Sequence, residues 1–338
     1  MKRIFLSALI LTFAGFICEA CTSAIVSAAR SATGRPILWK NRDTGADNNF
    51  LSRVEPTDST YGFIGLFNGG DSLLAEAWMG MNDAGFAIMN TASYNLAPDT
   101  AVFKDREGAV MAEALARCRT VADFESLLDA WPKPMGVQAN FGVIDAEGGA
   151  AYFETDDYAW TRFDVDDDPR GYIVRTNFSV TGEAGAGFGY IRYNAAEHLI
   201  GKADSIDPEL FVRGLSCSYY HSLTGHDYLA EGERYVTDRD FIPRDITTAS
   251  IAIEGVCSAD ETEEMTMWTV LGYPPCAPLY VIKGNDIPAD LGPEGPDWRS
   301  KACDESMRRR DAARPFAGGS GPKYLDLEKI REAISRLK

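Results

Sequence analysis

Histidine is scarce: only three occur in 338 residues, His198, His221 and His226. Downstream of position 21 there is no C-x-x-C pair, so a zinc centre lacks its usual ligands and no metal or cofactor is expected. No G-x-S-x-G run is present, which removes the serine elbow of the α/β esterases. Beyond the first twenty residues no stretch is apolar enough to span a bilayer. Positive charge is also short: 33 Lys and Arg stand against 50 Asp and Glu, for a net charge of -17. Such a chain repels phosphate backbones and anionic membrane surfaces, so nucleic acid is not an expected partner. Solubility is the simplest account of the acidity. Hydrophobic content of 45% and aromatic content of 11% are those of a folded globular protein, and the length allows a sizeable core.

What the chain does have begins at its N-terminus. Lys2 and Arg3 precede an almost wholly apolar or small run from Ile4 to Ile17, and Cys18-Glu19-Ala20 sets small residues before a cut. This reads as a secretory signal over residues 1–20, giving a secreted or periplasmic protein whose first residue is Cys21. Lipidation of Cys21 is the rival processing, but the leucine expected three residues before the cut is replaced by Cys18. Export implies an oxidising compartment. Of the seven cysteines, five remain besides Cys18 and Cys21, so at least one is unpaired; Cys257 and Cys276 are the candidate bridge.

Patterning predicts strands at 21–28, 36–41, 61–67, 73–79 and 86–90, the first two forming a hairpin. Helical spacing follows at 108–117 and 121–131, with Thr120 as N-cap of the second. Strands return at 139–145, 150–155, 159–163 and 172–176, then helices near 190–201 and 208–214. The last strands are 249–256, 264–271 and 277–282. Blocks of strands separated by pairs of helices suit antiparallel sheets with helices on their outer faces, an α+β class. After Pro296 the composition shifts. Arg308-Arg309-Arg310 is basic, Phe316 to Lys323 is Gly-rich, and Tyr324 to Leu337 is a short amphipathic helix. Residues 299–338 read as a C-terminal helical extension for docking or homo-oligomer contact, and 21–298 as the catalytic domain.

A cysteine that begins a chain carries a thiol and a free α-amine. Their reference pKa values, about 8.5 and about 7.7–8.0, let the amine take the thiol's proton near neutral pH. Amide cleavage then needs oxyanion donors, a carboxylate to hold the amine and a cation to favour thiolate. Polar residues at strand ends supply candidates: Lys40-Asn41-Arg42-Asp43, Asn90 and Asn177, with Arg192 opening a helix after the Gly-rich loop 182–189. Taken singly, each is an ordinary turn or surface residue. Asp164, Asp166, Asp167 and Asp168 suggest calcium, but Pro169 stands where that loop needs glycine, so a hairpin turn is the better account. Trp39, Trp78 and Tyr94 are candidates for a pocket lining or for core.

Cys21-Thr22-Ser23, Lys40 to Asp43, Met81 to Asn90, Asn140 to Asp145 and Arg175 to Ser179 together resemble the linear-amide C–N hydrolases with an N-terminal nucleophile. These are the choloylglycine hydrolase, penicillin V acylase and acid-ceramidase-like enzymes. The resemblance is nearest to their aminopenicillanic acid acyltransferase branch and covers Cys21 to about Ile282. It implies a four-layer αββα sandwich. It implies Cys21 as nucleophile and base, Asp43 orienting its amine, Asn90 and Asn177 around the oxyanion and amine, and Arg192 closing the charge network. Lys40 falls on an arginine of the family, so either Lys40 or Arg42 is the site cation, Lys40 being preferred. The acyltransferases often cut themselves at an internal Gly-Cys; none exists here, so Cys21 depends on signal removal. The implied function is cleavage of a small linear amide through a thioester, with acyl transfer to an amine, or an inactive lipid-anchored binding protein, as alternatives.

Overall fold

A computed structural model describes residues 20–97, 101–102, 104–237, 240–314 and 324–337. Residues 1–19, where most of the expected signal falls, and the Gly-rich stretch at 316–323 lie outside the described residues. The chain opens with strands β1 (Thr22–Val26), β2 (Ile37–Asp43), β3 (Asn49–Val54), β4 (Phe63–Asn68), β5 (Met79–Asn82) and β6 (Ala87–Ala92). Helices α1 (Glu107–Arg117) and α2 (Val121–Ala130) follow, then β7 (Ala139–Ile144), β8 (Ala150–Thr155), β9 (Trp160–Asp164) and β10 (Tyr172–Arg175). Helix α3 (Tyr190–Lys202) leads to a π-helical turn at Leu210–Gly214 and short strands β11 (Tyr220–His221), β12 (His226–Asp227) and β13 (Tyr235–Val236). The chain closes with β14 (Thr247–Glu254), β15 (Thr266–Leu271), β16 (Tyr280–Lys283), α4 (Lys301–Ala312), β17 (Leu325–Asp326) and α5 (Leu327–Arg336).

Two antiparallel sheets dominate. One has six strands in the order β10-β1-β2-β14-β15-β16; the other has seven, running β3 to β9 in sequence order. Strand alternation assigns the faces. On β1 and β2, Ile25 and Leu38 join the core between the sheets, while Ala24, Val26 and Trp39 face outward. The outward set packs on Ala195, Ala196 and Ile200 of α3 and on Phe211, whose ring lies 5.2 Å from that of Trp39. Between the sheets Gly142 leaves room for side chains of both: a Cβ there would stand 2.4 Å from the Met89 Cε and 3.0 Å from the Ile25 Cδ1, and those chain ends would have to shift. The far face of the second sheet is covered by α1 and α2. Thr120 caps α2 with a reciprocal box to Asp123, as its position predicts. Phe124 of α2 meets Phe86, Phe141 and Phe153 at ring separations of 6.3, 5.7 and 5.2 Å. The layers are therefore helix, sheet, sheet, helix: the αββα sandwich.

Several expectations need correction. Of the strand expected at 73–79, only Met79 is extended in the sheet. The Asp71 carboxylate instead accepts from the backbone of Ala75 and Glu76, holding a turn. The strand β3 was not predicted, because Asn49, Ser52 and Arg53 interrupt its apolar pattern. Helix α4 was missed as well, its buried face being only Ala302, Cys303, Ser306 and Met307. A bridge between Cys257 and Cys276 is ruled out by topology. The β14–β15 ladder runs from Glu254↔Thr266 to Ala249↔Leu271, and the two cysteines follow opposite ends of it. A disulfide needs Cα atoms within about 7 Å.

Phe124 anchors α2 by three aromatic contacts with no exposed surface. Phe124→Ala is expected to cost ~3–5 kcal/mol in urea unfolding; a loss below ~1 kcal/mol would contradict this packing account.

Candidate active site

Cys21 lies immediately before β1, in a central position of the first sheet. The register pairs Ser23 with Lys40 and Thr22 with Asn41, so Cys21 stands across from Arg42 and Ala20 across from Asp43. The Ala20 amide donates to the Asp43 carbonyl at 3.4 Å. The Cys21 thiol lies 3.8 Å from that same carbonyl oxygen. Both Ala20 and Cys21 are buried. In the full chain the nitrogen of Cys21 is the amide of the Ala20–Cys21 bond.

Alternation along β2 divides its polar end between two faces. Lys40 faces the second sheet, where its ammonium donates to the Trp78 carbonyl at 3.0 Å and to Asn90 Oδ1 at 2.6 Å. Arg42 also reaches that sheet, bonding Asn49 and stacking 4.7 Å over the Trp78 ring. Ser23, on the same inner face, meets the Tyr152 hydroxyl at 2.9 Å. Asn41 and Asp43 point the other way, toward α3 and the start of β14.

Asp43 is buried to zero exposure. Its Oδ1 accepts from Asn41 Nδ2 at 3.1 Å and from the Thr247 hydroxyl at 2.5 Å. Its Oδ2 accepts no hydrogen bond among the described residues. Burial pushes its carboxyl up to about 6, against the opposing pull of Arg244, Arg192 and the Thr247 hydroxyl.

Arg192 is 1% exposed, so the surface-charge reading of that residue fails. One Nη donates to the Cys21 carbonyl at 2.6 Å and to the Thr22 hydroxyl at 2.8 Å; the other donates to Asn177 Oδ1 at 2.7 Å. Asn177 in turn donates to the Ala92 carbonyl at 2.9 Å. Gly189 caps α3 with φ 87°, and a Cβ there would fall 2.6 Å from the Arg192 guanidinium. Glycine is thus needed both for the left-handed backbone and to admit the arginine. Burial favours the uncharged form of this arginine, while Asp43 favours the charged one.

The geometry brings Cys21, Asp43, Arg192 and Asn177 into one linked cluster, and Lys40 with Asn90 into a second on the inner face. Sequence reasoning quoted Thr22 and Ser23 only as part of the run at Cys21, and it missed Tyr152, Thr247 and Arg244. The last three carry no local motif; each is brought in by sheet register or by the loop before β14. Trp39 is outer-face core and Trp78 lies beneath Arg42. Tyr94 and Phe188 stay partly exposed, their rings 5.6 Å apart, and both backbone amides bond the Asn177 carbonyl, at 3.4 and 3.1 Å. Asp164 pairs with Arg162 and Asp168 with Arg170; the segment is not a hairpin turn but a 3-10 turn that carries the chain from β9 in one sheet to β10 in the other. Four other buried thiols, Cys118, Cys217, Cys276 and Cys303, are pushed up by burial to about 12, 11, 12 and 12, which makes them poor nucleophiles.

Asp43 gives a stability signature. The folded carboxyl holds its proton more tightly than the unfolded one, so its contribution is full at acid pH and is lost as pH rises through about 6. Ionisation inside the fold costs about 3 kcal/mol on this basis. Relative to wild type, Asp43→Asn should therefore gain stability as pH rises from about 4 to about 7. Denaturant titrations across that range check this; a constant difference would contradict the buried, raised carboxyl.

No protein-family model and no curated protein matches the chain. Solved structures do resemble it. The Caenorhabditis elegans ortholog of N-acylethanolamine-hydrolyzing acid amidase aligns at 14% identity and TM-score 0.48, over 73% of this chain and 99% of that one. A mutant conjugated bile acid hydrolase from Clostridium perfringens aligns at 14% identity and TM-score 0.46, over 79% and 93%. Penicillin V acylase from Agrobacterium tumefaciens aligns at 11% identity and TM-score 0.41, over 78% and 86%. None of these likenesses assigns a role to a residue of this chain.

Proposed function

We propose that this chain is a hydrolase of small linear amides, exported and cut between Ala20 and Cys21, with Cys21 as its nucleophile. The observation that carries the reading is the closure of buried Arg192 on the Cys21 carbonyl, with Asp43 buried against the same strand end. A residue with only a processing role has no need of such an enclosure. The cut leaves a free amine beside Asp43, whose Oδ2 is the acceptor for it. The amine takes the thiol proton, and the sulfur attacks the amide carbon. The tetrahedral intermediate collapses to a thioester as the ammonium returns the proton to the leaving amine. Water, deprotonated by the same amine, then releases the acid.

The other residues divide the work. Lys40 holds Asn90 Oδ1, which turns the Asn90 NH2 outward as an oxyanion donor; its ammonium, on the thiol's face of the sheet, is the site cation in this reading. Arg42 is committed to Asn49 and to the Trp78 ring and reads as a packing cation. Asn177 holds Arg192 in place. Tyr94 and Phe188, tied to the Asn177 carbonyl, offer an apolar rim for the substrate. Burial of Cys21 disfavours a lipid anchor at that position, and no described helix is long and apolar enough to cross a membrane.

Mass spectrometry of the exported protein should find a chain beginning with unmodified Cys21. Another first residue, or an acylated amine, would sink the mechanism. Cys21→Ala should fold and lose all turnover. Lys40→Met should lower kcat by ~10²–10³, while Arg42→Met should act mainly on stability. Equal kcat losses in the two lysine and arginine variants would contradict the division of roles.

A further inference from the structure

The sequence sets aside residues 299–338 as an extension for docking or homo-oligomer contact. The structure gives α4 a different situation. Its N-terminal end grips the loop that leaves β2 just after Asp43. Asn48 donates to the Ser300 carbonyl at 2.9 Å and to Asp304 at 3.0 Å, and accepts from the Ser300 amide at 2.8 Å. Arg299 pairs with Asp47 at 2.9 Å. Its C-terminal end grips the loop that enters β14. Arg310 donates to the Asp245 carbonyl at 2.5 Å, and Arg314 to the Asp245 carboxylate at 3.0 Å.

Both loops converge on Asp43. Asp245 lies between Arg244, whose charge acts on Asp43, and Thr247, whose hydroxyl bonds it. The Thr44 amide donates to the Ile246 carbonyl at 3.0 Å, joining the two loops to each other. Helix α4 thus spans the two backbone segments that frame one buried carboxylate. Asp245 and Arg314 are shielded, at 9% and 17% side-chain exposure, so their pairing is not an ordinary surface ion pair.

We propose that Arg310 and Arg314 are positioning residues for Asp43: by holding Asp245 they fix the loop of Arg244 and Thr247 against its carboxylate. The C-terminal helix is then part of the site and not an appendage. The proposal rests on the reading of Asp43 as the amine's partner. The groups facing the Asp43 carboxyl are Asn41 from β2, Arg192 from α3, Thr247 from β14, and Arg244 and Asp245 from the preceding loop; Cys21 and Asp240 act on Arg192. Lys40 and Arg42 occupy the opposite face of β2.

The signs follow from this layout. Losing Arg310 and Arg314 leaves the Asp245 charge less compensated and lets Thr247 withdraw, and both effects favour protonated Asp43. Asp245→Asn keeps the backbone acceptor for Arg310 and removes the negative charge, which favours ionised Asp43. Carbon-13 NMR titration of the Asp43 carboxyl in the full chain, assigned with Asp43→Asn, reads these directly. In R310Q/R314Q the midpoint should rise by ~0.5–1 unit, and in Asp245→Asn it should fall by a similar amount. R310K/R314K should restore most of the wild-type value. Thermal midpoints within a few degrees of wild type certify folding, and the Asp245→Asn arm stands alone if the double variant does not fold. Shifts of the same sign in both variants, or no shift in either, would overturn the proposal. Iodoacetamide alkylation of Cys21, measured in the processed protein, separates this from the parent reading. If the NMR shifts appear but Asp43→Asn alkylates as wild type does at every pH, Arg310 and Arg314 position Asp43 while Asp43 has no part in the thiol's chemistry.

Discussion

A buried guanidinium holds this site together. Arg192 enters from the first turn of α3 and bonds the Cys21 carbonyl, the Thr22 hydroxyl and the Asn177 side chain. Those contacts join the start of β1, the segment after β10 and an outer helix. An arginine without solvent is tolerable only where its charge is answered, and Asp43 answers it. The backbone around it yields to this need: Gly189 gives the room and the left-handed turn. A carboxylate alone in that place would be neutral over much of the physiological range. Arg192, Arg244 and Thr247 oppose the burial that raises it.

The second organising constraint is the alternation of β2. Four consecutive polar residues enter a fully buried strand end, and the pleat sends two to each side. Lys40 and Arg42 go to the space between the sheets, Asn41 and Asp43 to the helix side. Cys21 stands next to all of them because β1 pairs with β2 over its whole length. In a chain of net charge -17, Lys40 and Arg42 are buried on one face of this strand end, and Arg192 and Arg244 act on Asp43 on the other.

Much of this was legible in the sequence for a physical reason. Sheet and helix periods differ, so the strand blocks and helix pairs could be read, and with them the antiparallel layered class. The site residues were legible only as an ordered set behind Cys21; Asp43, Asn177 and Arg192 do converge on it, and Lys40 does meet Asn90. What could not be read depends on register or on distant loops. Thr247 lies 204 positions from Asp43 and becomes its closest partner through the β2–β14 pairing. β3 and α4 escaped because their buried faces are short or made of small residues. The Cys257–Cys276 pairing failed because neighbouring antiparallel strands set consecutive strand ends at opposite edges.

The central claim is that Cys21, with its own amine free, carries the acyl group. The most direct measurement is acid-quench mass spectrometry of the mature protein during turnover of an activated small amide. The account predicts the acyl mass on the N-terminal peptide at the sulfur of Cys21, removable by hydroxylamine. Acyl mass on any other residue, or undiminished turnover in Cys21→Ala, would contradict it.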